Sequence, residues 1–232
     1  MRFLRILLLF LLMAVGVMAH TFPQHRLSLD WWKTRWEAQK AAVEEGETKI
    51  LFIGDSLTQG FEGAGKEVWA EFYAPRGAKN FGISGDRTEH ALWRLKRLDW
   101  SKVQPDVAII LIGSNDTGHK MQAAETTAAG VADCVEIVRA KSPETQVLVL
   151  GLLPRGFKNY AMDRNRNAEV NELLAHLDDG QNVHFLDVGS QFIAENGDLP
   201  TDLFPDTLHL SGEAYRMWAE AMEPKLAELL ER

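Results

Sequence analysis

From Lys49 onward, short apolar runs alternate with stretches of helical period. Ile50-Leu51-Phe52-Ile53, Ala78 to Ile83, Val107 to Ile112, Val147 to Leu150 and Val183 to Leu186 are brief and often β-branched. Such runs predict strands buried on both faces of a parallel sheet. Between them, Ala91, Leu92, Leu95 and Leu98 share one helical face, as do Val131, Val135 and Val138, and Val170, Leu173, Leu174 and Leu177. A last helix is predicted from near Ser211 through Met217, Trp218, Met222, Leu226 and Leu230, with a kink at Pro224. Strands alternating with helices predict an open α/β sheet with right-handed crossovers. Without a repeat or linker, 20–232 reads as one domain.

The amino-terminal part has a different pattern. Arg2 and Arg5 precede an apolar run from Ile6 to Val17, and Val17-Met18-Ala19 places small residues at −3 and −1 of a cleavage site. That pattern predicts a secretory leader over 1–19, since the run is shorter than the ~20 residues of a spanning helix. A secreted or periplasmic protein without a stable membrane anchor follows as an expectation. Beyond it, His25 to Trp36 is aromatic and basic, and Glu37 to Glu47 reads as a polar helix. Trp31, Trp32 and Trp36 are better read as a strap packed over the domain than as a sugar-stacking platform.

Composition narrows the function classes. The 232 residues carry 25 Lys+Arg against 33 Asp+Glu, a net charge of −8. Loss of the leader removes Arg2 and Arg5 and no acid, which takes the charge to −10. Such a chain is poorly suited to nucleic acid or an anionic membrane surface. The single cysteine, Cys134, excludes an intramolecular disulfide framework and a Cys-based metal cluster.

In a sheet of this kind ligands bind beyond the carboxyl ends of the strands, so the residues after each run matter. They are Gly54-Asp55-Ser56-Leu57-Thr58-Gln59-Gly60, Ser84-Gly85-Asp86-Arg87 and Gly113-Ser114-Asn115-Asp116, with Asp206-Thr207-Leu208-His209 before the final helix. Each has an ordinary structural reading. Ser56 to Gln59 matches a capping box with Ser56 as cap. Asn115 and Asp116 suit an Asx turn, Gly82 and Gly85 suit turns with positive φ, and Asp206 with His209 suits a surface pair. A metal site of Asp206, His209 and either Asp86 or His90 is a lesser alternative, because no His-x3-His or His-Glu-x2-His spacing accompanies it. His90 is expected to face solvent. His20, His25, His119, His176 and His184 have no nucleophile or carboxylate motif beside them.

Together the four segments supply what acyl transfer needs: a nucleophile, a base, a group orienting the base, and oxyanion donors. Ser56 is the candidate nucleophile, His209 the base and Asp206 the orienting carboxylate. The backbone N–H groups of Ser56 and Gly85 and the Asn115 amide are the candidate donors. These blocks resemble the SGNH (GDSL) hydrolases, and Leu92-Trp93-Arg94-Leu95, Gly151 to Gly156 and Asn167-Ala168-Glu169-Val170-Asn171 are most similar to the platelet-activating-factor acetylhydrolase branch and its bacterial relatives. The resemblance runs from about Lys49 to the last helix. It implies a flavodoxin-like three-layer α/β/α sandwich around a parallel sheet of about five strands, no metal or organic cofactor, a short acyl group and a homodimer. Two features depart from that branch: the leader, since its animal subunits are cytosolic, and Ser84, where the branch tends to carry Gly. The α/β-hydrolase elbow Gly-x-Ser-x-Gly and the dinucleotide fingerprint Gly-x-Gly-x-x-Gly are both missing at the first strand. The reading is a secreted short-chain esterase acting on a small-molecule or carbohydrate ester. Its alternatives are a lysophospholipase or arylesterase, a phospholipid esterase, and a non-catalytic glycan-binding module.

Overall fold

The computed structural model describes residues 21–158 and 161–232. The leader assigned to 1–19, and His20, lie outside them. The five apolar runs form the strands β1 (Ile50–Gly54), β2 (Ala78–Gly82), β3 (Val107–Leu111), β4 (Gln146–Leu150) and β5 (Val183–Leu186). All pair in parallel, in the order β2-β1-β3-β4-β5. The chain leaves β1 for β2 on one side and then returns to β3 on the other. The carboxyl ends of β1 and β3 therefore flank the switch point where open α/β sheets hold ligands.

Every residue of β1 and β3 is buried, which requires cover on both faces. On one face Phe52 meets Phe61, Trp69 and Tyr73, and Phe61 meets Tyr215 and Trp218 of the final helix α7 (Gly212–Leu230). Alternation sends Leu51 and Ile53 to the opposite face. The described residues also form the helices α1 (Asp30–Glu45), α2 (Ser56–Gln59), α3 (Thr88–Leu95), α4 (Ser114–His119), α5 (Ala124–Lys141) and α6 (Met162–Leu174), together with shorter helical turns. In α7, Ser211 caps the start by accepting the Ala214 N–H, and the helix continues past Pro224. Val170 and Leu174 of α6 are buried, whereas Leu173, expected on the same face, is exposed.

The tryptophan segment forms a strap, with a correction to its limits. A single helix α1 begins at Asp30 and includes the tryptophans. It buries Trp32, Trp36, Gln39 and Val43 along one stripe and leaves Trp31 outside. Its place is dictated by β2, an edge strand whose carbonyls would otherwise lack partners. The Gln39 amide donates to the carbonyls of Asn80 and Gly82 (3.2 and 2.8 Å), and Arg35 Nε donates to that of Gly82 (2.8 Å).

Candidate active site

Ser56 opens α2 two residues beyond the end of β1, but the capping reading belongs to its neighbour. Asp55 is the cap, its Oδ1 accepting the Leu57 N–H at 2.9 Å. Ser56 is the first helical residue, which leaves its hydroxyl free for another partner. That partner is His209, whose Nε2 lies 3.0 Å from Ser56 Oγ. His209 Nδ1 lies 2.6 Å from Asp206 Oδ2. An ionised carboxylate only accepts, so Nδ1 carries the ring proton and Nε2 accepts from the serine hydroxyl. Residues 153 positions apart in the chain thus form one hydrogen-bonded line.

The loop holding the pair is held in turn by Asp206, whose Oδ1 accepts the N–H groups of Leu208 (3.1 Å) and His209 (2.7 Å). Partial burial works against ionisation of Asp206, but the His209 ring and these two N–H groups together hold its carboxyl below the usual range. Thr207 between them has φ 73°, a left-handed conformation that costs a β-branched residue about 1–3 kcal/mol. The Gly156 N–H, donated to Thr207 O at 2.9 Å, ties this strained residue to the loop after β4. The imidazole and carboxylate side chains are 47% and 56% exposed, so the line lies at an open rim.

Gly82 and Gly85 serve different purposes. Gly85 has φ 71° and needs its conformational freedom. Gly82 does not have positive φ; a Cβ there would lie 2.5 Å from the Gln59 N and 2.8 Å from Asp55 O, so it is small because α2 folds back against the strand end.

Asn115 and Asp116 lie within α4 and do not close an Asx turn. The Asn115 amide donates to Asp86 O at 2.9 Å and, at a longer 3.2 Å, to Asp55 Oδ2. Asp116 accepts the N–H (3.1 Å) and hydroxyl (2.6 Å) of Thr88 at the start of α3. Asn115 therefore sits where three buried acids converge. Burial, reinforced by the charges of Asp86 and Asp116 and opposed by the Leu57 N–H, pushes Asp55 up to about 7. Burial likewise pushes Asp116 up to about 6 against its Thr88 bonds. Burial also raises Asp86, although the guanidinium of Arg94 lies 2.9 Å away. Arg94 is fully buried and reaches the carbonyls of Phe81 and Gly54 as well (2.7 and 3.0 Å), joining the ends of β1 and β2.

His90 is a further correction: it is 3% exposed and does not face solvent. Its Nδ1 accepts the Arg87 N–H at 3.0 Å, satisfying a donor at the start of α3. Burial, with the Arg87 charge, pushes its pKa from 6.5 down to about 3. Between those values the unfolded chain holds the extra proton. The His90 contribution to stability is thus complete above pH 6.5 and lost as pH falls toward 3, by at most about 1.4 kcal/mol per pH unit. Asp55 and Asp116 act oppositely: their contributions are complete below pH 3.8 and are lost as pH rises from there to about 7 and about 6. His90→Gln, which keeps an acceptor for the Arg87 N–H, is expected to lose less stability than the wild type between pH 6.5 and 5. Urea titrations across that window check it, and equal losses would remove His90 from the role. Asp86 and His90 are engaged behind the rim, and among the described residues no group of three His, Cys, Asp or Glu could hold a metal ion. Nor is any helix among them long and apolar enough to cross a membrane.

Comparison with known proteins places this geometry in a family. The model of the GDSL-like Lipase/Acylhydrolase family matches residues 52–217, a segment that includes Ser56, Gly85, Asn115, Asp206 and His209. The chain belongs to the GDSL-like lipase/acylhydrolase family. This GDSL acylhydrolase is 36% identical over 203 residues to the platelet-activating factor acetylhydrolase IB subunit alpha2 of Gallus gallus, covering 87% of this chain and 86% of the relative. Its fold is shared with a GDSL-like lipase from Bacteroides thetaiotaomicron (TM-score 0.65, 19% identity, 84% and 97% of the two chains). It is shared too with a carbohydrate acetylesterase family member from Sinorhizobium meliloti (TM-score 0.62, 18% identity, 80% and 100%). The GDSL acylhydrolase is accordingly a carboxylic ester hydrolase.

The remaining motifs are supports. Asn167 accepts the Thr117 hydroxyl and donates to Leu153 O, and Asn171 bonds both the N–H and the carbonyl of Leu152, so the loop after β4 is clamped from α6. Arg26 and Gln59 touch the Gly85 turn, and the sequence assigned neither of them to that turn. Gln59 had a signal in its place within the first block; Arg26, in the segment before α1, had none.

Proposed function

We propose that this acylhydrolase is an exported esterase that removes short acyl groups, acetyl foremost, from carbohydrate. The observation that carries the reading is the cleft at the nucleophile. It has a volume of about 420 Å³ and is lined by Ser56, Gln59, Gly60, Glu62, Gly63 and Ser84. Such a lining offers hydrogen bonds, with the Glu62 carboxylate already paired to Arg35, but no long apolar side chain against which a long acyl tail could be buried, a burial that would stabilise it by about 0.8 kcal/mol per methylene. The acetylhydrolase relative and the carbohydrate acetylesterase neighbour support an acetyl group by their names. The leader pattern over 1–19 supports export, and export favours an extracellular glycan over an intracellular phospholipid.

In the mechanism, Ser56 Oγ adds to the ester carbonyl as His209 Nε2 takes its proton. The carbonyl oxygen becomes an oxyanion facing the N–H groups of Ser56 and Gly85 and the Asn115 amide, which would exchange its longer bond to Asp55 for this one. Collapse expels the alcohol, which takes the proton from His209 and leaves an acyl-serine. A water, deprotonated by His209, then releases the acid and restores the hydroxyl. Asp206 keeps the imidazole in the required tautomer and stabilises the imidazolium.

The test is a chain-length series of p-nitrophenyl esters run beside acetylated xylan and an sn-2-acetyl phospholipid, with N-terminal sequencing of the exported product. The acetyl ester is expected to exceed the octanoyl ester in kcat/KM by about tenfold or more. Acetate release from xylan and a product beginning at His20 are expected alongside. A preference for long chains or for the phospholipid would overturn the substrate assignment.

A further inference from the structure

The Gly85 N–H can stabilise an oxyanion only if its peptide plane is correctly turned. That plane is the middle of a four-residue turn, Ile83 to Asp86, closed by the Asp86 N–H donating to Ile83 O at 3.1 Å. Gly85 has φ 71° and Ser84 does not have positive φ, which is the type II arrangement. In such a turn the central peptide can rotate by about half a turn into the type I arrangement while the ends stay in place. Glycine at the third position imposes no steric penalty on either. The rotation would reverse the direction in which the Gly85 N–H points. Gln59 does not prevent it, since its Oε1 accepts the Ser84 N–H (2.8 Å), which belongs to the preceding peptide.

The group that grips the central peptide is Arg26. Its Nη1 donates to Ser84 O at 2.9 Å, and in a trans peptide the carbonyl and the following N–H point oppositely within one plane. Holding Ser84 O therefore aims the Gly85 N–H. The positive charge also polarises that amide, making the N–H a stronger donor at the moment the oxyanion forms. Arg26 is itself held, by Asp86 Oδ1 at 3.3 Å and over the Trp31 ring at 5.0 Å from its centroid. The fit is close: a Cβ on Gly85 would lie 3.1 Å from Arg26 Nη1. Arg26 lies outside the 52–217 segment that the family model matches.

We propose that Arg26 is a positioning residue for ester hydrolysis, holding and polarising the Ser84–Gly85 peptide so that the Gly85 N–H faces the oxyanion. This rests on the esterase reading with Gly85 as a donor. Asp86 keeps Arg94 and Trp32 as partners when Arg26 is lost, so the fold is expected to survive substitution.

The test uses the full mature chain with Arg26→Met, which keeps the bulk and removes the donors, and Arg26→Lys, which keeps one charged donor. Readouts are kcat and KM on p-nitrophenyl acetate, inhibition by a trifluoromethyl ketone that forms a tetrahedral adduct with the serine, Tm, and the Gly85 amide 15N shift. Arg26→Met is expected to lower kcat about 10- to 100-fold with KM changed less than about twofold. Ketone affinity should fall by the same factor as kcat/KM, the Gly85 resonance should move, and Arg26→Lys should recover part of the rate. An unmoved Gly85 resonance, or a kcat loss matched by a fall in Tm without loss of ketone affinity, would overturn the inference. Asn115→Ala separates this from failure of the site itself. It is expected to lower kcat by about 10²–10³-fold. An unchanged kcat in Arg26→Met alone overturns its positioning role, whereas an unchanged kcat in both variants while the Gly85 resonance moves means that the oxyanion reading itself fails and the positioning role falls with it.

Discussion

Replacing Ser56 with Ala is expected to lower kcat for p-nitrophenyl acetate by about 10⁶-fold and to abolish labelling by a fluorophosphonate. The hydroxyl is the nucleophile in the proposed mechanism, and among the described residues its hydrogen-bond partner is His209 Nε2 at 3.0 Å. Because Asp55 caps α2, the substitution removes no helix cap, and alanine is well tolerated at the first helical position. An unchanged Tm should therefore accompany the loss. A rate within about tenfold of the wild type would exclude Ser56 as nucleophile. The same labelling experiment separates the enzyme from a glycan-binding module, since a wild-type Ser56 that fails to label would favour the binder.

Asp206→Asn is expected to cost about 10⁴-fold in kcat with little loss of stability. An asparagine has one acceptor oxygen. If that oxygen keeps the Leu208 and His209 N–H groups now taken by Asp206 Oδ1, the new NH2 faces His209 Nδ1. Two donors cannot share that position, so the ring proton shifts to Nε2, where it blocks acceptance from Ser56. Steady-state kinetics with circular-dichroism melting checks this, and a rate within about tenfold of the wild type would mean that the carboxylate does not orient the ring. Since Asp206 is held below the usual carboxylate range, it stays ionised across neutral pH.

The open rim bears on what the enzyme can process. Half-exposed His209 and Asp206 side chains leave the scissile position accessible to an ester carried on a large body. Precision then has to come from the backbone, which accounts for the number of bonds spent on two loops: Asp206 and Gly156 on the His209 loop, and Arg26, Gln59 and Asp86 on the Gly85 turn.

The central strands β1, β3 and β4 could be read from the sequence because a segment buried on both faces is apolar along almost its whole length, whereas the edge strands β2 and β5 are only partly buried and carry Lys79, Asn80 and His184; all five lie within a residue of their predicted runs. The meeting of the Ser56, Gly85 and Asn115 segments was legible for a related reason: parallel strands send the segments that follow them to one rim, whereas Asp206 and His209, well past the end of β5, were brought to Ser56 by the tertiary structure. Readings failed where the pattern within one element is ambiguous. Ser56 and Asp55 both fit a cap, and the backbone path into α2 selected Asp55. Leu173 fits the apolar period of α6 but falls just beyond the face that buries Val170 and Leu174. His90 reads as a surface residue until α3 is docked against the buried acids.

The chain's own pattern of apolar runs and polar turns was sufficient to specify a parallel α/β sheet and the chemical groups at its rim, because both follow from local periodicity and strand direction. Whether Asp55 ionises, which way the Ser84–Gly85 peptide faces, and that Arg26 reaches it from a segment before the first strand depend on contacts between elements distant in sequence. Those contacts exist only once α1 has closed over the edge of β2 and excluded water from the acids behind Asn115, and no spacing along the chain encodes them.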